Sequence, residues 1–291
     1  MNTPTTDDLT AGRALLRRPL LPLARLVGLL YLTGPFERIS DVLPELPGTI
    51  ETGGVAYENP APLLQPHLPV LTEFEQLKFP TSRTWRIINE EGDELSAMEA
   101  IDLWIGHHLL MGELEAINSL LCAPCGCTLC CTGPEAAMRQ DFFEIPLRPE
   151  ECRRFPLARI DSEESRATPP DQEPPLHRDH SPFYQYGPAL YHWQSGWSLI
   201  LPRGTACPHL EESGRCRIYP DRPEVCRRPQ IFSYALEALS GRPADEGITT
   251  WRARRVLLAV WDCPYVQILR DEIAAFAEAC ELTPLFRQNK A

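Results

Sequence analysis

Lysine is almost missing from this chain. Lys78 and Lys290 are the only two among 28 basic residues, and all the others are arginine, which reads as codon bias. Basic charge as a whole is also short. Acidic side chains number 40 and the formal charge is −12. That deficit excludes a general polyanion-binding surface, so nucleic acid is an unexpected partner unless a local basic patch supplies one. Long apolar runs are lacking too. Residues 26–36 (LVGLLYLTGPF) form the most apolar early stretch, far short of the roughly 20 residues of a spanning helix. The uncharged stretches at 116–134 and 181–202 are broken by Pro, Gly and polar side chains. No transmembrane segment is expected.

The opening MNTPTTDDLT is polar and acidic, unlike the basic-then-apolar start of a secretory signal. A cytoplasmic location follows as the expectation. Nucleotide and hydrolase signatures are absent as well: there is no G-x-x-x-x-G-K, G-x-G-x-x-G, G-x-S-x-G or H-E-x-x-H. No repeat of 20–50 residues is found.

What the chain does have is proline and cysteine, 30 and 11 of its 291 residues. Hydrophobic residues at 43% and charged residues at 23% are those of a globular protein. An odd cysteine count cannot pair completely within one chain. In a reducing compartment, clustered thiols point to metal or catalysis rather than disulfides.

The patterning predicts a mainly α fold with irregular, metal-stapled loops and a minor β content. Residues 1–94 read as a Pro/Leu-rich segment packing on the core. Its arginines among leucines at 13–38 also suit a membrane-surface helix, but Pro19 and Pro22 interrupt any long one. The irregular, core-packing reading is preferred. Residues 40–95 read as loops with short extended pieces.

Residues 95–291 read as a helical cysteine-cluster domain. It opens with a helix over 95–121, on which Leu103, Leu110, Leu114, Ile117 and Leu121 form one stripe and Ala97, Ile101, Ile105 and Leu109 a second. His107 and His108 lie about 100° apart on that helix, so they read as structural rather than as paired ligands. A Pro-rich excursion is expected at 161–190. Two helices, about 248–262 and 265–281, are expected around Cys263-Pro264.

Five thiols fall within ten residues at Cys122-Ala-Pro-Cys125-Gly-Cys127-Thr-Leu-Cys130-Cys131. A C-x2-C step puts two sulfurs within reach of one metal, and Gly126 lets the backbone fold back. Cys207, Cys216 and Cys226 are spaced too widely for one local knuckle and need partners elsewhere, which the first cluster can supply. Ser213-Gly214 marks a turn between them, and Pro220 and Pro223 stiffen the approach to Cys226.

CxxCG…CC followed by Cys207-Pro-His-Leu210, Gly214-Arg-Cys216-Arg-Ile-Tyr219 and Arg222-Pro-Glu-Val-Cys226-Arg227 resembles the YkgJ-like CxxCxxCC cysteine-cluster family. The resemblance covers about 122–230. It implies a zinc- or iron-chelating domain, and it extends more distantly to flagellin lysine N-methylases. A cluster-dependent enzyme, lysine N-methylase-like or redox, is therefore the alternative to a metal-binding protein of other role. The resemblance implies Cys122, Cys125, Cys130, Cys131, Cys207, Cys216 and Cys226 as metal ligands. The first motif departs from the family spacing by carrying Cys127 inside an enlarged gap, and Cys127 is either a ligand or a spare. Cys263 is the candidate eighth thiol, since a cysteine before proline also closes ferredoxin motifs; the alternative is a buried thiol. Cys152 and Cys280 read as spares.

Arg222 and Arg227, with Arg215, Arg217 and Arg228, are expected to offset thiolate charge from the second shell of the site. His209 has no matching ligand slot and reads as incidental. The cofactor is an iron–sulfur cluster or zinc. More than four thiolates lean toward iron–sulfur, as does a Cys-Cys pair that would fit poorly on one tetrahedral ion. A protein partner stays open. Asp141, Glu144, Glu150 and Glu151 read as a solvated acidic face. Tyr184, Tyr186, Tyr191, Trp193 and Trp197 read as hydrophobic packing.

Overall fold

The computed structural model describes Thr5 and residues 7–136, 138–169, 172, 174, 177–178, 181–228, 230–239 and 248–288. The fold is mixed α/β rather than mainly α. It divides into two compact units, one of Pro4–Leu121 with Gln230–Arg287, the other chiefly Cys122–Pro229.

The chain begins with helices α1 (Thr10–Leu16) and α2 (Leu21–Thr33). Pro22 does not interrupt α2. It lies in the first turn, where a missing N–H costs nothing. The segment is thus helical rather than irregular, and it buries Leu16, Leu21, Leu23, Val27 and Tyr31. A hairpin follows, β1 (Thr49–Thr52) and β2 (Val55–Glu58), joined by Gly53 and Gly54 at φ 60 and 74. Positive φ at both central residues is what a tight hairpin turn demands. Short helices α3 (Pro60–Leu64) and α4 (Leu68–Leu71) lead to strand β3 (Trp85–Ile88).

Helix α5 (Ala97–Cys125) starts at a reciprocal cap, in which the Ser96 hydroxyl donates to Glu99 (2.7 Å) and accepts the Glu99 N–H. Both apolar strips are buried from Ile101 to Leu121. His107 and His108 rest in an aromatic nest with Trp104 and Trp251, where Trp85 stacks on Trp104 at 4.4 Å. Buried Asn118 acts like one residue of a strand. It donates to the Ile231 carbonyl, accepts the Ile231 N–H, and also accepts the Tyr265 hydroxyl.

The middle of the chain contains β4 (Phe142–Leu147), β5 (Arg159–Ile160), α6 (Glu163–Ala167), β6 (His177–Arg178), β7 (Ser181–Pro182), β8 (Ala189–Trp193), β9 (Gly196–Pro202) and α7 (Glu224–Arg227). Four of these strands form a sheet in the order β4-β9-β8-β5. Successive side chains of a strand face opposite ways. Leu190, Leu199 and Leu201 accordingly pack with Leu147, Cys152 and Phe155, while Tyr191, Trp193 and Ile200 pack with Tyr184. Tyr186 is exposed. Within 161–190, α6 opens with Ser162 as its cap. Positions 170–171, 173, 175–176 and 179–180 lie outside the described residues.

One backbone approach in this unit fixes a glycine. A Cβ on Gly133 would lie 1.9 Å from the Pro202 carbonyl oxygen. The Gly133 N–H meanwhile donates to the Thr205 carbonyl at 2.9 Å. Gly133→Ala is expected to cost about 1–3 kcal/mol by overpacking, read as a lower urea midpoint of this unit. An unchanged midpoint would contradict the close approach.

The last part of the chain corrects an expectation. Residues 248–262 are mostly a strand, β11 (Thr249–Val260), not a helix. Strand β10 (Ile231–Ala238) pairs with it antiparallel, and β3 and then β12 (Thr283–Arg287) pair parallel along its other side. The register shifts between Tyr234 and Leu236, and Arg255 on β11 has φ 50. Such a bulge changes which residues face inward. Burial falls on Thr250 and Ala253 before it and on Leu257 and Ala259 after it. The sequence therefore shows no continuous period of two. Helices α8 (Pro264–Ile268) and α9 (Arg270–Ala279) follow. No helix among the described residues is long and apolar enough to cross a membrane.

Candidate metal centre

Cys122 and Cys125 occupy the last turn of α5. Gly126, at φ 59, donates its N–H to the Cys122 carbonyl and turns the chain out of the helix. A tight turn then carries Cys130 and Cys131, with the Cys131 N–H on the Thr128 carbonyl at 2.8 Å. The long interval to the second motif is closed by the sheet. Strand β9 ends at Pro202, and the Cys207 N–H donates to the Cys131 carbonyl at 2.8 Å. Residues 206 and 132 form a bridge beside it.

The second motif folds back at Glu211–Gly214, closed by a bridge between Leu210 and Cys216. Gly214 has φ 80, and a Cβ there would stand 3.2 Å from the Gly126 carbonyl oxygen. The two motifs thus meet glycine against glycine. Pro223 then starts α7, which carries Cys226.

These turns bring seven thiols onto one cavity of about 500 Å³: Cys122, Cys127, Cys130, Cys131, Cys207, Cys216 and Cys226. Cys127 is on the wall. Cys125 is buried and not on it. Cys263 belongs to the other compact unit, fully buried ahead of α8. Cys152 and Cys280 are buried, Cys152 in an apolar cluster with Leu147 and Phe155. None of the eleven cysteines is in a disulfide.

Burial pushes the Cys122 and Cys226 thiols up to about 12. The hydrogen bond with Cys130, and then burial, raises Cys131. Burial also raises Cys207, against which the backbone N–H groups of His209 and Leu210 favour its thiolate. Left alone, these thiols stay protonated. A bound cation reverses that, because a coordinating thiol is deprotonated outright. The donor set therefore suits a soft or borderline metal, zinc or iron.

Cys130 Sγ and Cys131 Sγ are 4.0 Å apart. Two sulfurs on one tetrahedral ion at 2.3 Å stand about 3.8 Å apart. The adjacent pair can share one ion, contrary to the sequence-based argument that adjacency disfavours it.

Arg222 is buried on the cavity wall with its guanidinium 3.7 Å over the Tyr219 ring, and its charge favours the Cys122 and Cys226 thiolates. Arg227 does not line the cavity; its Nη1 donates to the Arg222 carbonyl at 2.7 Å. Sequence reasoning missed Glu151, which is buried rather than part of a solvated face. Its carboxylate accepts the N–H groups of Arg148 and Glu224, both at 2.9 Å, and so anchors the start of α7. Glu224 also pairs with Arg148 and Arg228. No motif marks Glu151; its role exists only once α7 lies beside the segment after β4.

No curated protein and no solved structure matches the chain. Residues 121–251, rather less than half of it, match the family model described as "CxxCxxCC: Putative zinc- or iron-chelating domain". With its clustered thiols, this stretch of the chain is similar to the CxxCxxCC family.

Proposed function

We propose that this domain holds a polynuclear thiolate metal centre in the reducing cytosol, an iron–sulfur cluster in preference to zinc. The observation that carries the reading is seven thiols on one cavity of about 500 Å³. One tetrahedral zinc uses four thiolates, and a sphere of Zn–S radius encloses only about 50 Å³. Cys122, Cys130, Cys131, Cys207, Cys216 and Cys226 would hold the centre, with Cys125 behind them and Cys127 as a further donor on the wall. Arg222 would offset its negative charge. When bound, such a centre supplies electron transfer or Lewis acidity.

Protein purified without oxygen should contain iron and inorganic sulfide, with broad visible absorption that is lost in Cys226→Ser. Two zinc ions and no colour would keep the thiolate centre and change its metal. A folded protein with no metal, unaffected by Cys226→Ser, would overturn the reading.

One further observation favours a reactive centre over a purely structural one. The cavity falls in the size range of small-molecule sites, about 300–1,000 Å³. Ile145, Phe155, Leu199 and Ile218 give it apolar walls beside the sulfurs. A cluster-dependent enzyme, lysine N-methylase-like or redox, would use that space for its substrate. Cyanide added to the metal-loaded protein should then shift its absorption, and an unchanged spectrum would leave the structural role alone.

A further inference from the structure

We propose that His209 is an additional metal ligand of this centre, coordinating through Nδ1. The inference rests on the thiolate-centre reading and extends it, because it makes the donor set a mixed sulfur–nitrogen one.

His209 lines the same cavity as the seven thiols. Its Nε2 lies 2.7 Å from the Arg154 carbonyl oxygen. A carbonyl oxygen only accepts, so Nε2 carries the hydrogen. In the neutral ring the lone pair is then on Nδ1. That atom is buried and has no hydrogen-bond partner among the described residues. A buried polar atom without a partner costs free energy.

The surroundings fix the ring rather than leaving it to rotate. Phe155 packs against it at 5.2 Å between centroids. The His209 carbonyl accepts the Arg217 N–H at 2.8 Å, and its own N–H serves the Cys207 sulfur. The residue is thus held at both backbone groups and at the far ring nitrogen. Metal-bound histidines show this arrangement: one nitrogen on the metal, the other donating to a carbonyl or carboxylate that sets the tautomer. Imidazole is also a ligand that both zinc and iron accept.

Spacing alone matches only cysteines and offers no reason to prefer this role. The reason is the Arg154 carbonyl, 55 positions away in the chain.

The test is X-ray absorption at the metal edge of the full-length protein. One sample is loaded with zinc, and another is reconstituted anaerobically with ferrous iron and sulfide. At least one should show a nitrogen at about 2.0–2.1 Å with the outer-shell scattering of an imidazole ring. His209→Gln keeps a donor for the Arg154 carbonyl but has no imidazole. In it that scattering should vanish, and the affinity for that metal should fall at least about tenfold against a competing chelator. A sulfur-only first shell in both wild-type samples would overturn the role of His209 and leave the thiolate centre standing. Imidazole scattering that persists in His209→Gln would overturn it as well, assigning the nitrogen to another histidine. Failure of the wild-type protein to bind either metal would overturn the thiolate centre, and His209 ligation with it.

Discussion

Cys130→Ser is expected to weaken metal binding about 100-fold, more than the loss of any thiol at the rim of the set. The charge of Cys130 bears on Cys122, Cys131, Cys207 and Cys226, which come from both motifs. It therefore stands where the two motifs converge. The magnitude follows from structural zinc sites, whose binding is worth about 10–16 kcal/mol over four ligands. One ligand carries about 3 kcal/mol, which is about a hundredfold in affinity. Competition with a chromogenic chelator reads this directly. Cys152→Ala and Cys280→Ala are the controls. Both positions are buried, so each variant should lose some stability and keep its metal affinity within about twofold. Affinity retained in Cys130→Ser would mean that the convergence is not a binding site.

Removing the metal should also cost the Cys122–Pro229 unit more than any single side chain does. Its second motif has few regular elements: α7 is one turn, and Cys207, Cys216 and Cys226 are separated by turns. The ribbon between 131–133 and 205–207 is the main backbone tie between the motifs. A cation bound across the motifs adds cross-links where hydrophobic burial is thin.

The site was legible in the sequence to the extent that its chemistry is local. Cysteine spacing marks six of the seven thiols on the cavity, because a thiolate set needs many donors of one kind close together; it puts Cys125 where the wall has Cys127. Gly126 and Gly214 could be seen as turn residues, but not as the two that face each other. Glu151 and His209 were read as a surface acid and an incidental ring. Each acts through a backbone group distant in sequence: the Glu224 N–H and the Arg154 carbonyl. Backbone partners leave no side-chain signature. The Cys130–Cys131 pair was misjudged because neighbouring residues in a tight turn can aim their sulfurs together.

The fold was less legible, for an identifiable reason. The period of α5 is unbroken, so its two buried stripes are visible. β11 is central, twelve residues long and bulged. Paired on both sides, it buries residues irregularly, and its Val256-Leu257-Leu258 run looks helical. Strands β8 and β9 were hidden differently. Their aromatic and aliphatic residues are buried on both faces, so no polar alternation remains to mark them.

Glu113→Gln is expected to remove a large pH dependence of stability from the unit of Pro4–Leu121 and Gln230–Arg287. Glu113 is buried on α5. Its Oε1 accepts the Leu20 N–H at 2.9 Å, and Oε2 has no hydrogen-bond partner among the described residues. Among the described residues no cation pairs with it. Burial pushes its carboxyl up to about 8, and it is thus neutral in the fold at pH 7. The groups that respond to it are Tyr57, whose hydroxyl donates to the Pro19 carbonyl, and Cys280; burial first, then the charge of Glu113, raises both. The sign follows from linkage. Below about 4.5 both folded and unfolded states hold the proton, and Glu113 adds no pH dependence. Between there and about 8 only the folded state holds it, so stability falls as pH rises. Above about 8 the full cost is present, about 4–5 kcal/mol at 1.36 kcal/mol per unit. Glutamine keeps an acceptor for the Leu20 N–H and cannot ionise. Urea unfolding, followed by the fluorescence of Trp85, Trp104, Trp251 and Trp261, should place wild type and variant within about 1 kcal/mol at pH 5. At pH 8.5 the variant should be more stable by several kcal/mol. An equal difference at both pH values would show that Glu113 is already ionised in the fold, and a partner for Oε2 would then have to exist.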